Sequence, residues 1–197
     1  MAWITKNSAT IQIPRREDPY LTGEMKSEFE RDILPRYATK QAALLPVLHE
    51  VQHHEGWLPF QALEEVAAFL DLTPAEVLDT ASFYEEFYLE PVGRYTIGVC
   101  QSIACEALGH ERIVDHVRRK LGIEPNETTD DGLFTLRCME CLGACDTAPC
   151  ALVNEDRHDL LTIESIDELI DSIRERETPG SSSNEAGTEV ASVASEA

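Results

Sequence analysis

The stretch Tyr-Thr-Ile-Gly-Val-Cys-Gln-Ser-Ile-Ala-Cys, residues 95–105, joins a β-strand pattern to a pair of cysteines. Its first six residues alternate in character and include β-branched side chains, which predicts a strand that ends at Cys100. A second group, Cys-Met-Glu-Cys-Leu-Gly-Ala-Cys at residues 138–145, follows another predicted strand. Loops at the same end of a sheet can converge, so the two groups predict one shared metal site.

Between and after the cysteine groups, the chain alternates predicted strands and helices. Residues 113–121 carry an apolar face typical of a helix, and residues 133–139 form the second strand. Residues 151–153 and 160–163 suggest the two arms of a hairpin, after which Ser165 begins a capped final helix. The order β-α-β-β-α predicts a small sheet with helices packed on it.

The first half of the chain predicts a bundle of short helices. Apolar residues recur at every third or fourth position in four segments, residues 25–37, 44–51, 63–70 and 74–81. The last segment follows Thr73-Pro74-Ala75-Glu76, which combines a capping box with proline at the first helical position. Four short helices can bury their apolar faces only against one another, which predicts a bundle.

These patterns predict an α+β protein divided into four parts. We expect a flexible N-terminal segment at residues 1–24, a helical bundle at 25–92, a sheet domain with the cysteines at 93–177 and a disordered acidic tail at 178–197. The division near Pro91-Val92-Gly93 is chosen because all six cysteines follow it.

The chain carries a net charge of −21 at pH 7, which limits its partners. Nucleic acids and anionic membrane surfaces would be repelled, so neither is an expected partner. No stretch resembles a signal peptide or a spanning helix, which predicts a cytoplasmic protein without direct membrane insertion. Thiols stay reduced in that compartment, so we expect the six cysteines to be metal ligands or redox groups.

Six cysteines compete for the four thiolate positions of a [2Fe-2S] cluster. Each iron takes two thiolates, and two cysteines with three or four residues between them can fold around one iron. Cys138 alternates with Phe134 and Leu136, so we expect its side chain to face the core. Cys150 begins the next strand and has no close cysteine in sequence other than Cys145.

The spacing alone also fits other chemistry. A four-thiolate zinc site could use Cys100, Cys105, Cys138 and Cys141. Cys138 and Cys141 could also form a redox dithiol, although such pairs normally open a helix without a second cysteine loop. His-Glu-Val-Gln-His at residues 49–53 matches the zinc-protease pattern H-E-x-x-H, but no motif marks a third ligand, so we expect a solvated or packing face there.

Two further features bear on function. Neither G-x-G-x-x-G after a strand nor G-x-x-x-x-G-K-[ST] occurs, so no dinucleotide or triphosphate site is indicated in this chain. Residues 83–88, Phe-Tyr-Glu-Glu-Phe-Tyr, are rich in aromatic side chains, for which core packing is the usual explanation. The alternative is an exposed aromatic surface that docks a partner.

Several motifs together resemble a known family. They are Lys-Gln-Ala-Ala-Leu-Leu-Pro at 40–46, Ser-Phe-Tyr at 82–84, Pro-Val-Gly at 91–93, Cys-x4-Cys at 100–105 and Glu-Cys-Leu-Gly-Ala-Cys-Asp-Thr-Ala-Pro at 140–149. From about Met25 to Glu177, the chain resembles the NuoE family, whose members belong to bacterial NADH-quinone oxidoreductase, or respiratory complex I.

The resemblance implies a small N-terminal helical bundle followed by a thioredoxin-like α/β domain that carries one [2Fe-2S] cluster. It implies ligand roles for Cys100, Cys105, Cys141 and Cys145. It leaves Cys138 and Cys150 as non-ligands.

The resemblance also implies a role and partners. The chain would relay single electrons in complex I, beside a partner subunit that binds FMN and NADH and performs the hydride chemistry. Other peripheral-arm subunits would hold it at the cytoplasmic side of the inner membrane. Equivalent subunits of NAD-linked hydrogenases or formate dehydrogenases are an alternative, and a zinc-stabilised interaction module is an alternative of a different class.

Overall fold

The computed structural model describes residues 13–178 and has the predicted α+β architecture. In chain order its elements are α1 (Gly23–Glu28), α2 (Leu44–Glu55), α3 (Phe60–Leu70), α4 (Pro74–Phe83), β1 (Tyr95–Cys100), α5 (Ile103–Ala107), α6 (His110–Leu121), β2 (Phe134–Met139), β3 (Ala151–Val153), β4 (Asp156–His158) and α7 (Ile163–Glu177). The predicted acidic tail lies outside the described residues except for Thr178.

Helices α1 to α4 share one hydrophobic core. Most of its buried side chains come from the apolar faces that the sequence indicates, and Val47, Val51 and Val66 are completely buried. Helix α2 ends at Gly56, whose φ of 78° is a left-handed conformation that glycine adopts without strain. Helix α4 begins with the predicted capping box, in which Thr73 and Glu76 satisfy each other's main-chain N–H groups.

The first helix is shorter than its apolar pattern predicts. Regular α-helix ends at Glu28, and the chain continues as a wide turn at Phe29–Ile33 and a tight turn at Leu34–Arg36. Pro35 lies in that last turn and lacks an N–H donor. The apolar pattern therefore follows a helical path as far as Arg36, but the hydrogen bonding is α-helical only up to Glu28.

Arg16 and Leu21, which precede α1, contact α3, although the sequence suggested a flexible segment for residues 1–24. Leu21 is completely buried in the helical core, and its N–H donates to Glu65 at 2.8 Å. The Arg16 N–H donates to Gln61 at 3.0 Å. A single apolar residue and two main-chain donors leave no periodic pattern, so composition could not indicate this contact.

The sheet has the strand order β2-β1-β3-β4. Strands β1 and β2 are parallel, whereas β3 runs antiparallel to both β1 and β4. Apolar residues of α6 and α7 pack with one face of the sheet in a second core, which includes Ile97, Leu136 and Ile170. This is the predicted sheet with helices packed on it.

The final hairpin differs in detail from the prediction. Its second arm is β4, which pairs Val153 with Asp156 across a two-residue turn, and residues 160–163 are not a strand. Asn154 takes a φ of 55°, a left-handed conformation that asparagine tolerates in such turns. The apolar run places Leu161 in the core, and Thr162 rather than Ser165 caps α7.

The sheet brings the cysteine loops to one edge. In the parallel register Cys100 lies opposite Met139, so β1 and β2 end side by side. The Gln101 N–H continues the pairing by donating to the Met139 carbonyl at 2.8 Å, and the Cys100 N–H donates to the Cys150 carbonyl at 3.0 Å. Both predicted cysteine groups and the start of β3 therefore meet at this edge.

Gly93 offers a test of how tightly this sheet is joined to the chain before it. A Cβ on Gly93 would lie 2.8 Å from the Phe134 carbonyl carbon and 2.9 Å from its nitrogen. We expect Gly93→Ala to lower the free energy of unfolding by about 1–3 kcal/mol, because backbone of β2 must shift. Gly23→Ala is the control, since a Cβ there meets nothing within 4 Å. Urea unfolding of both variants measures the effect, and equal midpoints would contradict this packing.

Candidate metal centre

The candidate site is built from three chain segments at the sheet edge. The last residue of β1 is Cys100 and helix α5 supplies Cys105, while the segment after β2 supplies Cys141 and Cys145. The residue before β3 is Cys150. Ala144 and Ala148 are buried with Cys100, Cys105 and Cys150 in a small apolar cluster beneath the site.

Three of the five thiols form a buried group. The sulfur atoms of Cys100, Cys105 and Cys150 all lie within 4.8 Å of one another. Cys100 and Cys105 are 2% exposed and Cys150 is 1% exposed, so water is excluded from this side of the site. The Cys105 and Cys150 sulfurs are 3.9 Å apart, within hydrogen-bonding range for two thiols.

The other two thiols form an exposed pair. The Cys141 and Cys145 sulfurs lie 3.8 Å apart. Gly143 between them has a φ of 74°, a left-handed conformation that glycine adopts without strain. This turn directs the Gly143 N–H to the Cys141 sulfur, and that hydrogen bond is the largest of the effects that lower the pKa of Cys141. Hydrogen bonding to Cys141 raises the pKa of Cys145 instead.

Burial raises the pKa of two of the buried thiols, those of Cys105 and Cys150. For the pKa of Cys105, hydrogen bonds from the main chain and the thiol of Cys150 act in the opposite direction. Burial is also the largest of the effects that raise the pKa of Cys150 to about 12. The site therefore has one water-excluded side, which disfavours free thiolates, and one exposed side.

Cys150 is the residue whose place the sequence reasoning missed. Spacing suggested no close cysteine except Cys145, yet the sulfur of Cys150 contacts that of Cys105, which lies 45 residues earlier. The contact depends on the antiparallel pairing of β3 with β1, which a spacing argument does not contain. Cys138, by contrast, packs against the second core beside Phe134 and Leu136 and lies outside this group.

The zinc alternatives find less support in the geometry. Within residues 13–178, Cys100, Cys105 and Cys150 are the only group of three or more close potential metal ligands, so Cys138 is not gathered with Cys100 and Cys105. His49 of the H-E-x-x-H pattern lies 3.4 Å from Glu86, and its ring packs on Phe87. That environment is the packing or solvated face that the sequence predicted.

The donor set fits an iron-sulfur cluster. Two thiol pairs, Cys100 with Cys105 and Cys141 with Cys145, are each close enough to share one iron. Both pairs lie at the same end of the sheet, because the parallel strands β1 and β2 end side by side. A fifth thiol, Cys150, lies on the buried side.

Comparison with known proteins identifies the family. The profile of the family described as thioredoxin-like [2Fe-2S] ferredoxin matches residues 31–174. The chain belongs to the thioredoxin-like [2Fe-2S] ferredoxin family.

Relatives of this [2Fe-2S] ferredoxin domain are subunits of NADH-quinone oxidoreductases. The E 2 subunit of Rhizobium meliloti is 39% identical over 78% of this chain and 90% of its own length. The E subunit of Escherichia coli is 36% identical over 81% of this chain and 96% of its own length, and subunit 2 of Thermus thermophilus is 36% identical over 76% and 84%.

A solved structure shares the fold. The crystal structure of an NAD+-reducing [NiFe]-hydrogenase in the air-oxidized state superposes with a TM-score of 0.60 at 31% identity over 68% of this chain. The match covers only 23% of that hydrogenase chain. In the described part of this ferredoxin-family chain, no helix is both long and apolar enough to cross a membrane.

The two sides of the site should differ in thiol reactivity. In the cluster-free protein at pH 8, we expect iodoacetamide to modify Cys141 about tenfold or more faster than Cys150, because Cys141 is exposed with a lowered pKa and Cys150 is buried with a raised one. At a pH below the pKa of a free cysteine, a larger fraction of Cys141 is thiolate than of a free cysteine. The rate of Cys141 modification should therefore fall less than that of a free cysteine as the pH is lowered. Tandem mass spectrometry of the labelled peptide measures each site.

Full labelling of Cys150 in urea is the control for that experiment. Equal rates for Cys141 and Cys150 in the folded protein would contradict the division of the site into an exposed and a buried side. Cys138 should also react slowly, because burial raises its pKa.

Proposed function

We propose that this chain is the [2Fe-2S] electron-transfer subunit of an NADH-quinone oxidoreductase. The observation that carries the proposal is the meeting of two cysteine pairs at one sheet edge of a thioredoxin-like [2Fe-2S] domain. Relatives named as subunits of NADH-quinone oxidoreductase, matched over 84–96% of their length, support that host complex.

The proposed ligands are Cys100 and Cys105 for one iron and Cys141 and Cys145 for the other. When bound, the cluster accepts and donates one electron at a time. The protein holds the sulfurs of Cys100 and Cys105 away from water and stabilises charge on Cys141 through the Gly143 N–H. The net charge of −21 acts against the added electron and favours the oxidised form.

The partner that supplies electrons must hold the NADH and FMN sites. This chain has no dinucleotide-binding glycine motif, so hydride chemistry is assigned to a separate protein of the complex. The exposed Cys141 and Cys145 mark the side from which such a partner can approach closely.

Exposed apolar side chains close to the cysteines in sequence suit a docking surface. Ile103 is 80% exposed and Leu108 is 61% exposed, and the two residues flank Cys105. Phe83 is 80% exposed in the aromatic stretch, where Glu85 accepts a 2.9 Å hydrogen bond from the Glu140 N–H beside Cys141. Exposed apolar groups around a functional site favour a protein partner, and the aromatic stretch thus includes part of the alternative docking surface that the sequence suggested.

The hydrogenase-type host is the second candidate. The structural match to the NAD+-reducing [NiFe]-hydrogenase favours it. This chain would perform the same relay at the same cysteines in either host. The proteins that co-purify with this chain distinguish the hosts, and in complex I they would hold it peripherally at the cytoplasmic side of the inner membrane.

The purified full-length chain provides the direct test of cluster and ligands. We expect a brown protein with two irons and two sulfides per chain and a paramagnetic signal on reduction. Cys141→Ser should lose most of the iron, because the substitution replaces one of the two thiolate ligands of an iron with a hydroxyl group, which is a weaker ligand. Cys138→Ala is the matched control and should keep a full cluster, since Cys138 packs in the second core.

Two outcomes would contradict this proposal. A colourless protein with bound zinc would indicate the four-thiolate interaction module. Loss of the cluster in Cys138→Ala with retention in Cys141→Ser would overturn the ligand assignment.

The docking surface is tested by Ile103→Glu. A charge at this exposed position should lower affinity for the NADH-oxidising partner about tenfold or more, because a carboxylate resists burial in an interface. Iron content and spectrum should remain unchanged. Ile13→Glu, at an exposed apolar residue of the N-terminal segment, is the control. Co-purification and a binding titration measure the effect, and equal affinity for both variants would contradict the proposed surface.

A further inference from the structure

Cys150 is a buried thiol for which the proposed ligand set has no place. Its side chain is 1% exposed, and its sulfur lies 3.9 Å from that of Cys105. Its carbonyl accepts the Cys100 N–H at 3.0 Å, which fixes its backbone against the end of β1. The side chain is therefore held beside the ligand pair by strand pairing rather than by a loop.

A [2Fe-2S] cluster leaves no position for a fifth thiolate. Each iron takes two cysteine sulfurs. The role of Cys150 rests on the proposed function, in which the four ligands of the two irons are Cys100, Cys105, Cys141 and Cys145. An uncoordinated cysteine keeps its S–H group, which is a weak hydrogen-bond donor, while a coordinated cysteine sulfur is an acceptor.

The position of Cys150 suits a hydrogen bond from its S–H group to the sulfur of Cys105. The Cys150 sulfur lies 3.9 Å from that of Cys105, and either thiol could donate in that contact. Once Cys105 is a ligand, only Cys150 keeps an S–H group, so Cys150 is the donor. The surroundings are apolar, because the neighbouring buried residues are Ala144 and Ala148, so water does not compete for the sulfur. A hydrogen bond in such surroundings is electrostatically stronger than one in water.

We propose that Cys150 is a positioning residue for the cluster, whose S–H group donates to the sulfur of Cys105 and raises the reduction potential. The added electron increases negative charge on the ligand sulfurs, so a donor to one of them stabilises the reduced form more than the oxidised form. Hydrogen bonds to the sulfurs are among the recognised determinants of cluster potential. The main-chain N–H of Cys150 remains in any variant, so only the contribution of the thiol is removed by substitution.

The test compares Cys150→Ala and Cys150→Ser in the full-length chain with its cluster. We expect Cys150→Ala to keep two irons per chain and to lower the ratio of reduced to oxidised cluster about threefold at a fixed potential, which corresponds to about 30 mV at about 59 mV per tenfold. Cys150→Ser restores a donor and should return the potential to or above the wild-type value. Cys138→Ala, which removes a thiol from the other core, should leave the potential unchanged.

Each outcome of the titration decides the role of Cys150. An unchanged reduction potential in Cys150→Ala would overturn the role of Cys150 as a hydrogen-bond donor. A reduction potential of Cys150→Ser as low as that of Cys150→Ala would overturn it as well. Loss of the cluster in Cys150→Ala would overturn it in favour of Cys150 as a ligand. A wild-type chain without a [2Fe-2S] cluster would overturn the proposed function and the role of Cys150 together, whereas the other outcomes leave the proposed function standing.

Discussion

The parallel pairing of β1 with β2 is the constraint on which the site depends. Its register sets Cys100 opposite Met139, so two loops that lie about 35 residues apart in sequence leave the sheet at one edge. A shift of one residue would turn Cys138 away from the second core and move the second loop along the edge. The packing of α6 and α7 on the sheet fixes that register, because it buries Ile97 and Leu136 on one face.

The same register explains why the thiols differ. Cys100 ends a strand inside the sheet and is buried, while Cys141 and Cys145 lie in a loop that has already left the sheet. The strand and loop positions thus give the site one side that excludes water and one side that is exposed to solvent. An electron-transfer site benefits from both sides. Electrostatic interactions with the cluster are stronger where water is excluded, and electrons enter on the side that a partner protein can approach closely.

Local patterns in the sequence predicted most of the fold, and long-range pairing explains what they missed. The capping box at Thr73 and the strand that ends at Cys100 depend on neighbouring residues only, and both are present. The hairpin arm was misplaced because the buried Leu161 fits a strand and a helix-entry loop equally well. Cys150 was set apart because its neighbour Cys105 is brought to it by β3, a contact without any sequence spacing.

The net charge of the chain and the hydrogen-bond donors at the cysteine sulfurs have opposite effects on the reduction potential of a bound cluster. A net charge of −21 makes each added electron less favourable, and screening weakens that effect with distance. The Gly143 N–H lowers the pKa of Cys141, and the Cys150 sulfur lies 3.9 Å from that of Cys105, so each of these groups acts on a single sulfur at short range. In the proposed role of Cys150, the donors placed by β3 and by the turn at Gly143 would raise the reduction potential that the acidic charge lowers.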